Sequence, residues 1–153
     1  MDGEPLSEAA IGRELQGELR DLLALAVVGD HIRWIATGDD GSVVARWLSD
    51  AVVRWRTWAD RIATHMVSLG LAPDGRVRAL AEDVPWNWVP AGWLGGGEAR
   101  RLVIDRLAKV ASWARSRRLL FDDPEAVQLL DGLCADLDAQ LHHLVSDGAD
   151  SLS

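Results

Sequence analysis

Apolar positions recur every three or four residues through most of the chain, and the recurrence breaks at only a few places. Ile11, Leu15, Leu19, Leu22, Leu23, Ala26, Val27, Trp34 and Ile35 make one such stripe. That spacing returns once per helical turn, so it predicts a helix from a Ser7 cap almost to Gly38. Ser7 offers an oxygen to an orphan amide, and Glu8 lies at the positive end of the helix dipole. Gly12, Gly17 and Gly29 weaken the helix locally, because glycine is a poor helix former. About 30 residues at 1.5 Å each span about 45 Å, which is long for a small globule and suits a bundle.

Gly38-Asp39-Asp40-Gly41 reads as a turn, with Ser42 placed to cap the next helix. A second stripe joins Val44, Trp47, Leu48, Ala51, Val52, Trp55, Ala59, Ile62, Ala63, Met66 and Leu69, and Gly70 stops it. Residues 71–97 break the pattern with prolines and glycines. They leave room for a short helix over 76–83 and a tryptophan-rich connection, VPWNWVPAGW. A third helix is expected over 98–120, with Leu102, Ile104, Leu107, Val110, Ala111 and Ala114 facing inward. Asp123-Pro124-Glu125 is a strong start for a fourth: an Asp cap, Pro at the first position and an acid in the first turn. Val127, Leu129, Leu130, Leu133, Leu137, Leu141 and Leu144 then keep the helical period. Residues 1–6 and 146–153 are polar and acidic, and are expected to be loose. The fold class is therefore all-α, a four-helix bundle in one domain over 1–153. A long crossover with a short extra helix joins its second and third helices.

Composition narrows the partners. A chain of 153 residues, 48% hydrophobic, has the mass for one good core and is not a disordered chain. A net charge of -8 and a pI near 4.9 argue against duplex DNA and anionic membranes at neutral pH. Lys109 is the single lysine among 16 basic residues, so neither end carries a lysine-rich tail. Cys134 is alone, which excludes a disulfide framework and a cysteine zinc site. No apolar run approaches the ~20 residues of a membrane span, and no signal segment opens the chain. A cytoplasmic protein is expected.

The stretch from His31 to Gly70 is similar to a known pattern. Arg33-Trp34-x-x-x-Gly38, followed by Ala59-Asp60-Arg61-Ile62-Ala63-Thr64, resembles the Dps family, the small ferritin-like cage proteins of bacteria. The family's pattern there is H-W-N-V-x-G, a second His, then D-x-I-A-E. The segment Leu71-Ala72-Pro73-Asp74-Gly75-Arg76 and the last helix resemble the family too, so the likeness covers about 15–144. The resemblance implies a ferritin-like bundle and a shell of twelve subunits that oxidises ferrous iron with peroxide, stores it and protects against oxidative stress. It also implies a di-iron site between two subunits.

Carried over position by position, the family's first His falls on Arg33 and its second on Ala45. The first helix-B acid falls on Ser49, the Asp of D-x-I-A-E is Asp60, and the Glu four residues later is Thr64. Iron is held by anionic oxygens and neutral imidazoles, and of these five positions only Asp60 keeps such a group. The ferroxidase implied by the resemblance is thus expected to be a non-catalytic or weakly active shell, with iron not bound at the family site. The alternative is a working ferroxidase on a non-standard site. Arg33 is expected to pair with Asp60 of a neighbouring subunit.

His31 and His65 point off the faces of the replaced ligands and read as hydrogen-bonded or solvated helix residues. No E-x-x-H motif occurs, and His142 and His143 stand adjacent near the end of the last helix. Asp122, Asp123, Glu125 and Asp131 cluster at the start of the fourth helix. The resemblance implies acidic three-fold pores there, while capping and dipole complementation explain Asp123 and Glu125 equally well. The eight tryptophans are expected to pack in the core and at subunit contacts. Trp34 matches the family's Trp beside the iron site. The expected partner is the chain itself, as a homo-oligomeric shell that works alone or mixes with an active paralogue.

Overall fold

The computed structural model describes residues 6–81 and 89–151, with side chains through 147. Seven elements succeed one another: α1 (Glu8–Ile35), β1 (Ala36–Thr37), α2 (Gly38–Ser68), α3 (Val77–Ala81), β2 (Leu94–Gly95), α4 (Gly96–Arg118) and α5 (Pro124–Ser151). α1 and α2 form a long hairpin, α4 and α5 a second, and the crossover between α2 and α4 carries α3. The all-α four-helix bundle expected from the periodicity is the one that forms.

The caps behave as their residue types dictate at two ends. Ser7 accepts from the Ala10 amide at 3.1 Å, and Asp123 accepts from the Ala126 amide at 3.1 Å with Pro124 as the first helical residue. The start of α2 differs from expectation. The helix begins at Gly38, not after Ser42, and the Ser42 hydroxyl donates back to the Gly38 carbonyl at 3.2 Å. The reason is tertiary. A two-residue parallel bridge pairs Ala36 with Leu94 and Thr37 with Gly95, and Thr37 Oγ1 donates to the Leu94 carbonyl at 3.0 Å. This anchors the corner, and Gly38 turns it at φ 81°.

Two other bounds shift. α3 spans Val77–Ala81, and the remainder of the expected 76–83 helix, like Trp86 and Trp88, lies outside the described residues. α5 runs on to Ser151, past Ser146 where the apolar period ends, with His143 and Asp147 3.1 Å apart one turn from each other. At the other end Leu6 packs on the core, while residues 1–5 lie outside the described residues.

The core runs along the bundle axis. Leu15, Leu22, Leu25 and Ile32 of α1 meet Leu48, Trp55, Ile62 and Met66 of α2, Leu107 and Val110 of α4, and Leu130, Leu133 and Leu137 of α5. Gly29, a weak point by propensity, is a contact point in the fold. A Cβ there would stand 2.9 Å from both Trp55 and Val52, so its absence lets α2 approach α1. Not every apolar position turns inward: Val27 is 38% exposed and Trp34 62%.

Candidate functional site

The positions matched to metal ligands lie on α1 and α2. Arg33 is in the last turn of α1, where a cation complements the helix dipole. Its Nε donates to Asp30 Oδ1 at 2.8 Å, and its guanidinium stands 5.3 Å from the Trp34 ring. Arg56 of α2 donates from Nη2 to the other oxygen of Asp30 at 3.2 Å. Asp30 therefore joins two guanidiniums and ties α1 to α2. It stands three residues before Arg33, a spacing at which helical side chains meet, and that spacing was the available signal for it.

Ala45 is half-buried and brings no donor atom. Ser49 is exposed, and its hydroxyl donates to the Ala45 carbonyl at 3.1 Å, the back-bond common for serine within a helix. Asp60 and Thr64, one turn apart on α2, share a groove of about 470 Å³ with Arg61, His65, Ser68, Glu125 and Leu129. The fifteen residues from Ala45 to Asp60 put about 22 Å of helix between them. One chain thus brings Asp60 and Thr64 together and keeps them apart from Ala45. Asp60 lines the same groove as Glu125 of the acidic group expected at a pore, a neighbourhood that sequence spacing did not show.

The rest of that acidic group divides. Asp123 caps α5, and Asp131 accepts from Arg118 Nε at 2.5 Å, so both have structural work. Asp122 and Glu125 are exposed. Of the histidines, His31 Nε2 lies 2.8 Å from the Pro90 carbonyl and ties the crossover to α1. His65 Nε2 is buried without a hydrogen-bond partner. His142 is exposed, and His143 faces Asp147. Among the described residues no group of three His, Cys, Asp or Glu side chains is placed to hold a metal ion. The residues at the five matched positions do not fit iron.

Two of the six described tryptophans, Trp55 and Trp58, donate their indole N–H to a side chain of α5. Trp55 is fully buried, donates to Gln140 Oε1 at 2.8 Å, and meets Trp47 edge-on at 6.1 Å between centroids. Trp58 donates to Asp136 Oδ2 at 2.7 Å beneath the Arg61 guanidinium, and Arg54 also pairs with Asp136. A groove of about 300 Å³ runs between α2 and α5 beside these residues, lined by Trp47, Asp50, Arg54, Asp136, Gln140 and His143. Cys134 is half-buried, and burial pushes its thiol up to about 11, with the nearby Glu18 adding to the shift.

This arrangement of helices has close structural counterparts. A Dps from Microbacterium arborescens superposes with a TM-score of 0.84 at 21% identity, covering 96% of this chain and 99% of that one. The fold is Dps-like. Mycobacterium smegmatis Dps gives a TM-score of 0.82 at 18% identity over 94% of this chain and 92% of its own. Staphylococcus aureus Dps gives 0.82 at 10% identity over 92% and 95%. No family model and no curated protein matches the sequence. At these identities the likeness is one of fold, and the Dps-like bundle is the ferritin-like architecture that the sequence resemblance implied. Among the described residues no helix is long and apolar enough to cross a membrane.

Proposed function

We propose that this chain is the subunit of a ferritin-like shell from which the inter-subunit iron-oxidising site has been lost. The observation that carries the reading is Arg33. It occupies the position of the family's first His, and it is held by Asp30 at 2.8 Å. A guanidinium has five donors and no lone pair for a metal, so it repels a dication where the family recruits one. Ala45, the Ser49 hydroxyl bonded back to its own helix, and Thr64 add no carboxylate or imidazole to the position of Asp60.

Shell formation draws on the Dps-like fold and on apolar surface a lone chain leaves in water. Trp34, Val53 and Val67 are each more than half exposed on the α1–α2 hairpin. Twelve copies is the number the resemblance implies, assembling alone or mixed with an active paralogue. The similar Dps from Microbacterium arborescens is known in a high iron form, which makes iron the cargo to test.

Ferrous iron is added anaerobically to the purified assembly, its mass fixed by light scattering, and peroxide is then introduced. Ferric absorbance rising no faster than a protein-free blank is the expected result. A second reading, a ferroxidase on a non-standard site, draws on the groove that joins Asp60, His65 and Glu125. Rapid protein-dependent oxidation that Asp60→Asn abolishes would establish that reading and overturn the first. A monomeric or dimeric mass at micromolar concentration would overturn the shell.

A further inference from the structure

The interior of the bundle holds charges that none of the iron-site positions uses. Glu14, Glu18 and Asp21 stand four and three residues apart on α1, which lines them up on one face. Arg117 of α4 meets all three. Its Nη1 lies 3.2 Å from Glu18 Oε1 and 2.6 Å from Asp21 Oδ2, and its Nε lies 3.6 Å from Glu14 Oε2. Gly17 admits this approach, since a Cβ there would stand 2.8 Å from Arg117 Nη2. Arg106, also on α4, is buried with its Nε unpartnered, stands 5.7 Å from the Trp113 ring and feels the charge of Asp21.

Glu18 is the critical member. It is 0% exposed, and its second oxygen, Oε2, has no hydrogen-bond partner. Fully ionised, the group sets three carboxylates against two guanidiniums, leaving one negative charge in excess. A buried charge without full compensation is relieved by taking up a proton. Burial accordingly pushes the Glu18 carboxyl up to about 7, against the pull of Arg117 and with the push of Asp21. Burial also works against the Arg117 charge, but Glu18 and Asp21 more than offset it.

The other elements add little compensation. α5 presents the Cys134 thiol, with Asp131 and Asp138 farther out on its exposed side, and the nearby cation Arg115 of α4 is taken up by Asp138 at 2.6 Å. The buried face of α2 carries no titratable group, and its His65 lies toward Glu125 and Leu129. On α3, Arg78 is exposed.

We propose that Glu18, Asp21 and Arg117 form a proton-operated clasp between α1 and α4, closed while Glu18 is neutral and weakened when it ionises. With Glu18 neutral, Glu14 and Asp21 balance Arg106 and Arg117. Ionisation returns the uncompensated charge to the interior and loads it on the Arg117 contact that joins α4 to α1. The folded carboxyl lies above its ordinary value of 4.5, so its contribution is complete below that pH and is lost as pH rises through about 7. This one group should lower the folding equilibrium constant on the order of a hundredfold between about pH 4.5 and 8.

Unfolding of the full-length protein and of Glu18→Gln is followed from about pH 5 to 8.5. The expected result is a wild-type stability that falls through neutrality and a variant that lacks that component. Parallel pH profiles would overturn the clasp. Should Glu18→Gln not fold, infrared spectroscopy of the wild type decides: a protonated-carboxyl stretch present near pH 5.5 and gone by about pH 8.5 supports it, and no such band sinks it.

Discussion

Arg33 is bound to Asp30, three residues earlier on the same helix, with Nε 2.8 Å from Oδ1. The cation at the first matched metal position is thereby fixed by its own chain, independently of any neighbouring subunit. Pairing of its remaining nitrogens with Asp60 of a neighbour stays a proposal. Restoring the family's letters should restore its chemistry. The combined variant Arg33→His, Ala45→His, Ser49→Asp and Thr64→Glu is expected to oxidise ferrous iron well above the protein-free blank, with the unaltered protein at the blank. A variant that assembles, binds ferrous iron and still does not oxidise it would show that the loss lies beyond these four side chains.

Asp30 serves two guanidiniums, so its removal should cost more than that of either arginine. Both contacts are partly exposed, and exposed pairs contribute about 0.2–1 kcal/mol each. Asp30→Ala is expected to destabilise by about 1 kcal/mol in urea titration, and Arg33→Ala by about half that. In the Asp30→Ala background the Arg33→Ala step should be near neutral.

Trp55→Phe keeps an aromatic ring but removes the indole donor and part of the buried ring volume, stranding Gln140 Oε1 in the core. An unsatisfied buried acceptor costs about 1–3 kcal/mol, and thermal unfolding should show a loss of that size. A change smaller than about 0.5 kcal/mol would mean that Gln140 finds another donor.

Asp122 and Asp123 are neighbours with different surroundings. Asp123→Ala removes the α5 cap and should cost about 0.5–2 kcal/mol, while exposed Asp122→Ala should stay within about 0.5 kcal/mol. If Asp122 lines a cation entry, its removal should slow metal uptake by the assembled protein at unchanged stability. Equal stability losses in the two variants would contradict the capping geometry.

Much of the bundle is legible from local spacing. A helix states its own length and buried face through every third or fourth residue, so the four long helices, the Ser7 and Asp123 caps and most of the core come from neighbours in sequence. The lost ligands are legible for the same reason, because Arg33, Ala45, Ser49 and Thr64 are read directly at their positions. Local spacing misses whatever depends on residues far apart in the chain. The Ala36–Leu94 bridge moves the start of α2, and the close approach of Trp55 turns Gly29 from a weak point into a contact. Asp60 and Glu125 line one groove only because α2 and α5 lie side by side.

The buried charges show the division most sharply. Arg106 and Arg117 read as ordinary arginines on a helix, and Glu18 as one acid among many, since a formal charge carries no information about its solvation. Only packing α4 against α1 removes the water from Glu18 and sets Arg117 within 3.2 Å of it. Helix identity and the missing metal donors belong to the sequence by itself, being properties of residues and their near neighbours. The Asp30–Arg56 tie, the Asp60–Glu125 groove and the burial of Glu18 beside Arg117 belong to the tertiary structure, because distance and dielectric are set only when the helices meet.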